Sequence, residues 1–486
     1  MDLFEPVIEQ LKIVQANNLP ATWLFQYDAF INPEFVSIFD NAGSDQEIGL
    51  WLEIVQPMVE KAGLKWRGRW GWDWFPDVGF TVGYDKQQRE KLIDVCFAEF
   101  ENVFGYFPES VGSWVLDAHS MEYMSNKYGV KAFCVCKEQS GTDGYTLWGG
   151  YYNHAYYPSK NNALLPACEK RNQINTPVFR MLGADPIYQY NADTYDCEGQ
   201  DAQRVHTLEP VSGGCGDNKD WINWYFDINE SQNTYPFGYI QIGQENSFGW
   251  DVIKTGFTLQ IEVLMERVKD GKVEAQTLAQ SGKWFRKQFG VSPAITFSAL
   301  DDYKKQNFKS VWFYSRYYRI NIVSDGSQIF IRDLMLYSDE LKEKYIDGVC
   351  NSPHCQFRAL PIVEGSLYDE DCGRIKLPVK LISDSLNITH NEDAKLLTWD
   401  TADCRKFTVK LLEDSIEFYS DDKDWSLTYL IGENKSLLNN VLSDSLLFSQ
   451  DEFEYRLNLS EGLFVKKNSV ISLTTEGCRL VVNLKD

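Results

Sequence analysis

The sequence predicts a mixed α/β chain: a (β/α) barrel over residues 1–290, followed by an all-β sandwich over residues 291–486. Three observations carry this. Strand-like and helix-like segments alternate up to about residue 290, the mark of parallel strands joined by crossover helices. There are about six or seven such units with long loops after the strands, which points to a closed barrel rather than an open sheet. Beyond Ser292 helical periodicity fades and short runs of alternating apolar residues take over, separated by turn residues.

The elements follow in order. Phe4, Val7, Ile8, Leu11 and Val14 share one helical face, so 3–15 is a helix. Strands are expected at 21–27, 47–54, 110–116 and 131–136, with helices at 33–40, 86–104 and 120–128. An irregular stretch over 137–236, rich in Tyr, Asn, Asp and Gly, contains a strand near 178–182 and is long enough to build a binding site or lid. Strands at 239–243 and 273–277 and helices at 252–268 and 279–289 complete the first part. In the second part, strands are expected at 311–314, 318–322, 329–331 and 407–411.

Composition narrows the partners. With 47 Lys and Arg against 70 Asp and Glu, the net charge is −23. A nucleic acid or an anionic membrane surface calls for the opposite sign. No apolar run is long enough to span a bilayer, and the acidic N-terminus lacks the layout of an export signal. A cytoplasmic location is therefore the default, with export open if the sequence starts late. The five histidines are scattered, and no second cysteine pair stands at finger spacing, so no metal centre and no cofactor are expected. Cys134 and Cys136 sit in an apolar run that suits a buried strand; Cys350 and Cys355 flank His354, a candidate thiol-imidazole site. Oligomeric state is not written in the sequence.

The densest chemical signal is Trp66-Arg67-Gly68-Arg69-Trp70-Gly71-Trp72-Asp73-Trp74-Phe75. Flat apolar rings interleaved with polar groups suit sugars, which have an apolar face and a hydroxyl rim; a packed loop with satisfied indole N–H groups is the plainer reading.

Several segments resemble the polysaccharide-deacetylase and family 57/38 glycoside-hydrolase superfamily. Ala21-Thr22-Trp23-Leu24-Phe25 is similar to the Ala-Thr-Phe-Phe strand of the deacetylases, and Gln46-Glu47-Ile48-Gly49 to their His-Glu-Ile-Gly. Phe107 to Trp114 stands at their proline-containing fourth strand, and 252–277 at their last helix and strand. The resemblance implies a barrel that is seven-stranded, or incomplete where the first strand would precede residue 21 and only helix is found. It also implies a metal site with a histidine pair. Carried onto this chain, that pair falls on Trp51 and Val55, which cannot ligate, so a metal-dependent deacetylase is disfavoured. In the hydrolases the fourth strand ends in a Trp-Leu-Pro-Glu-like motif bearing the nucleophile; here it reads Trp114-Val115-Leu116-Asp117.

Barrel active sites lie at the C-terminal ends of the strands. Glycoside cleavage needs two carboxyl groups flanking the bond. Asp117 is expected as nucleophile and Glu245 as acid/base, with Glu53 as a further catalytic candidate. Trp51, Trp70, Trp72, Asp73, Trp74, Trp114, His119 and Trp250 are expected to bind substrate, and Asp77 is a supporting carboxylate. Each has a structural alternative: Asp117 also reads as the N-cap of the next helix, and Glu53 as a buried acid paired with Arg67 or Arg69. The expected function is glycoside hydrolysis of an oligo- or polysaccharide. The alternatives are a non-catalytic carbohydrate-binding protein on the same barrel and a metal-dependent esterase with an unorthodox site.

Overall fold

The computed structural model describes residues 3–136, 139–142, 145–147, 149–189, 206–230, 233–243, 246–364, 373–378, 380–390, 394–423, 425–431 and 437–485. Helix α1 (Phe4–Ala16) leads into a parallel sheet of β1 (Ala21–Phe25), β2 (Gln46–Trp51), β3 (Ser110–Ser113) and β4 (Ala132–Cys136), adjoining in that order. The antiparallel pair β5 (Ala155–Tyr156) and β6 (Val178–Met181) completes it, β6 lying parallel to β4. The register runs Leu24 to Gly49, Leu50 to Val111, and Val111 to Phe133. Gly112 has a packing reason to be glycine: a Cβ there would stand 2.8 Å from the Trp51 ring and 2.6 Å from Leu24. Its absence lets the Trp51 indole lie across β3.

Helices α2 (Lys86–Phe104) and α3 (Ala118–Tyr128) cover the sheet. The first starts in a reciprocal cap between Asp85 and Gln88, stops at Gly105 with φ of 80°, and buries Leu92, Ile93, Cys96, Phe97 and Phe100. Two strands expected from the sequence are not formed. Residues 239–243 and 273–277 carry no ladder hydrogen bonds. The first of these is nonetheless packed: Tyr239 lies 5.4 Å from Phe179 of β6, and Ile242 shares an apolar cluster with Trp23 of β1. It thus contacts both margins of the parallel sheet, but among the described residues no ladder closes that sheet into a ring.

The irregular stretch also hides a helix, α4 (Lys219–Glu230). Trp221, Ile222, Trp224, Tyr225, Phe226 and Ile228 are all buried on one broad face, while Lys219, Asp220 and Asp227 face outward. Then come α5 (Trp250–Lys269) and α6 (Leu278–Gln288). The amides of Leu278 and Ala279 at the start of α6 donate to Thr22 Oγ1 and Glu47 Oε2, fixing that end beside β1 and β2.

Among the described residues, two large antiparallel sheets of ten and eight strands follow, the larger drawing one short strand from the first part. The larger begins with β7 (Thr234–Tyr235) on β8 (Ile295–Ala299), then β9 (Lys309–Tyr314), β10 (Tyr318–Ser324) and β11 (Ile329–Leu336). The four strand runs expected at 311–314, 318–322, 329–331 and 407–411 all fall inside observed strands. Residues 149–189, part of the irregular stretch, fasten the parallel sheet to this one. Tyr152 stacks on Trp312 at 3.7 Å, and Arg332 donates to the carbonyls of Pro186 and Ile187. Arg319, fully buried and paired with Asp333, donates to Gly150 O at 2.8 Å.

Candidate functional site

In a parallel sheet the carboxyl ends of the strands are where side chains converge on a ligand. Gln26 follows β1, Glu53 lies two residues past β2, and Trp114 follows β3. Glu53 is 4% exposed, and three donors reach it. Trp72 Nε1 gives to Oε2 at 2.5 Å, Gln26 Nε2 to the same oxygen at 3.0 Å, and Trp51 Nε1 to Oε1 at 2.8 Å. An acceptor-only carboxylate matches this surround. The sequence offered Arg67 or Arg69 as its partner; the structure gives two indoles and an amide instead. Trp51 in turn meets Trp114 edge-on at 5.5 Å.

The tryptophan-rich loop stands directly beside this carboxylate. Trp70 and Trp72 are 55% and 40% exposed, large values for indoles. Trp70 stacks on Trp74 at 5.5 Å, and Trp72 lies 5.6 Å from Trp74. Arg69 holds the rings in place: its guanidinium sits 4.5 Å from Trp70, 4.6 Å from Trp74 and 3.6 Å from Phe75. Asp73 anchors that guanidinium through both oxygens at 2.9 and 2.6 Å. Burial would raise its pKa, but the bonds from Arg69 and the amides of Arg69 and Phe75 outweigh this and leave it below the usual carboxylate value. With 1% exposure, Asp73 organises the loop and has no face for a substrate, contrary to expectation. The loop is held against the sheet by amides: Gln56 N reaches Gly71 O at 2.9 Å and Ile54 N reaches Gly79 O at 2.8 Å.

Asp77 follows on the same loop. Its Oδ1 is buried without a hydrogen-bond partner among the described residues. A carboxylate oxygen in that state is an acceptor waiting for a donor.

Asp117 does not stand at the rim as a nucleophile. Its carboxylate is fully buried, caps α3 through the amide of Ser120 at 2.9 Å, and accepts from Thr81 Oγ1 at 2.5 Å and Ser120 Oγ at 2.7 Å. Arg89, equally buried, pairs with it at 3.0 Å. Burial raises its pKa, but Arg89 and the hydroxyl and amide donors prevail, holding it below the usual carboxylate range. Arg89 also donates to Tyr345 O and Gly348 O, so the ion pair fastens α2 to the segment that follows β11. Glu343 lies in the same buried group and accepts from the amides of Ala118 and Ala163. Burial, with Asp117 adding to it, pushes Glu343 up to about 8.

His119 is also diverted: Nε2 lies 3.0 Å from Glu90 of α2, in the helical layer. Trp250 packs with Phe257 in the apolar cluster between α1 and α5. Glu245 lies outside the described residues. Of the cysteines, Cys134 and Cys136 are buried on β4 as expected. Cys350 and Cys355 are buried and hydrogen-bond each other, while His354 is exposed and its imidazole pairs with neither thiol. The bond from Cys355 draws the Cys350 thiol down to about 6 against the effect of burial.

Trp51 and Val55, at the histidine positions the deacetylase resemblance implies, offer no metal lone pair. Trp51 spends its N–H on Glu53, and Val55 is wholly buried. Among the described residues no group of three or more His, Cys, Asp and Glu could hold a metal ion. The donor set does not fit the deacetylase metal. No helix of the described residues is long and apolar enough to cross a membrane.

Comparison with known proteins places this geometry in context. Residues 80–300 match DUF3863, a domain of unknown function with a solved structure. The chain is similar in structure to a protein from Parabacteroides distasonis provisionally described as a glycoside hydrolase/deacetylase. The identity is 15% and the TM-score 0.54, over 74% of this chain and 85% of that one. The two share a fold. A structure provisionally described as a polysaccharide deacetylase from Mycobacterium smegmatis matches at 14% identity and TM-score 0.32, over 58% of this chain and 78% of that one, too loosely to argue from. No curated protein matches the sequence.

Proposed function

We propose that the protein is a carbohydrate-active hydrolase whose oligo- or polysaccharide substrate lies on the rim formed by Trp70, Trp72 and Trp74. The observation that carries this reading is the juxtaposition of two exposed indoles with a buried carboxylate, Glu53, at the carboxyl ends of a parallel sheet. The rings offer stacking faces for sugar, and the fold shared with a provisional glycoside hydrolase/deacetylase supports the class. Glu53, held by three donors, is assigned the ionised carboxylate, and Asp77, with its unmet oxygen, the second carboxyl group. Asp117 is assigned to stability instead.

The test is release of reducing ends from a panel of oligosaccharides. Glu53→Gln and Asp77→Asn are each expected to lower turnover by about 100-fold or more, since each removes one of two cooperating groups. Turnover that survives both would end the assignment. A second reading, non-catalytic saccharide binding, is favoured by the full engagement of Glu53 with protein donors; binding without turnover in the wild type would select it.

A further inference from the structure

A cleft of about 650 Å³ opens between the two antiparallel sheets, and it shares no residue with the tryptophan rim. Its walls come from both sheets: Lys376 and Thr428 from the larger, Phe407 from the smaller, with Trp425, Asp403 and Asp422 on the turns between strands. Phe407 and Trp425 meet edge-on at 5.2 Å and form an apolar floor. Trp425 is 9% exposed, and its Nε1 is buried with no acceptor among the described residues. An indole N–H left unmet costs free energy that a well-packed core avoids, so Trp425 holds, beside this cleft, a buried donor that the described residues do not satisfy.

The polar groups opposite are fixed in advance. Asp422 pairs with Arg405 at 3.2 Å and Lys380 at 3.6 Å, and Asp403 accepts from Thr401 Oγ1 at 2.5 Å. An aromatic floor bounded by two carboxylates, the three ammonium groups of Lys376, Lys380 and Lys423, and hydroxyls is complementary to a ligand with one apolar face and a rim of hydroxyls. The polar wall opposes a lipid chain. The volume falls in the range of about 300–1,000 Å³ typical of small-molecule sites and accommodates a short oligosaccharide. We propose that this cleft is a second saccharide-binding site, which holds a polymeric substrate while the rim engages it elsewhere.

The test is calorimetric titration of the full chain with cello-, xylo-, malto- and manno-oligosaccharides. It compares the wild type, the rim variant Trp70→Ala/Trp72→Ala, and two cleft variants, Asp403→Ala and Trp425→Phe. The phenylalanine keeps most of the packing and removes only the N–H and one ring. The rim variant is expected to retain one class of site, which either cleft change weakens about tenfold at an unchanged melting temperature. Binding lost through rim changes alone overturns the cleft and leaves the rim standing. Binding lost through cleft changes alone does the reverse. No binding by the wild type removes both.

Discussion

Two carboxylates only a few elements apart meet opposite fates. Asp117 is surrounded by a guanidinium, two hydroxyls and an amide, the surroundings of a structural anchor. Glu53 is surrounded by indoles that themselves reach solvent. Asp117→Asn is therefore expected to act on stability: it leaves Arg89 charged and unpaired in the interior, at a cost of about 3 kcal/mol or more in urea unfolding. Unchanged stability with lost turnover would return Asp117 to the catalytic role. The cap was legible in the sequence as an alternative, because Asp before Ala-His-Ser is a common helix start. The Arg89 contact was not, since it spans 28 residues and depends on how α2 crosses α3. The bond from Trp72 to Glu53 was equally hidden: the sequence shows both residues but not the fold of the loop between them.

At the scale of elements, the loop over 65–75 is a small assembly in its own right, with Arg69 at its centre and Asp73 as its anchor. Arg69→Ala is expected to release the rings and weaken saccharide binding about tenfold. Tryptophan emission should shift to the red, and the melting temperature should fall as well, because Asp73 is left buried without its guanidinium. Helix α6 gives a contrasting case. Thr277 caps it in a reciprocal pair with Gln280, and Thr277→Ala is expected to cost about 1 kcal/mol in chemical denaturation without altering saccharide binding. Elements with such punctuation were readable. The span 86–104 was expected and is found, since Asp85, Gln88 and Gly105 mark both ends. Helix α4 is amphipathic, with Lys219, Asp220 and Asp227 opposite its buried face, but it was missed because it lies in a stretch whose Tyr, Asn, Asp and Gly content reads as loop. The runs at 239–243 and 273–277 have strand-like composition, yet among the described residues no neighbouring strand completes a ladder with them.

At the scale of the molecule, buried titratable groups at the junction of the sheets set the pH response. His154 is fully buried beside Tyr314, and burial draws its pKa from 6.5 down to about 3. Between those values the unfolded chain binds a proton that the folded one refuses, so stability is lost as pH falls from 6.5 toward 3, at about 1.4 kcal/mol per pH unit. Glu343 acts in the opposite sense. Its pKa rises from 4.5 to about 8, so the folded chain keeps a proton the unfolded one releases, and stability falls as pH rises through that window. The two slopes oppose each other between 4.5 and 6.5, where their joint contribution is flat. Urea unfolding across pH 3–8, repeated with His154→Asn and Glu343→Gln, checks this: each variant is expected to flatten its own limb.

The parallel sheet followed by antiparallel sheets was legible from periodicity alone. How the 149–189 segment binds them together was not, because that interface is built from buried arginines and stacked tyrosines with no repeating spacing. The central claim is that the exposed indoles beside Glu53 hold a saccharide. Titrating an oligosaccharide panel into the wild type and Trp70→Ala/Trp72→Ala, with tryptophan emission as the readout, tests it most directly. The account predicts saturable quenching by at least one sugar class, weakened tenfold or more in the variant. Saccharide binding of the same strength in both proteins, or in neither, would contradict it.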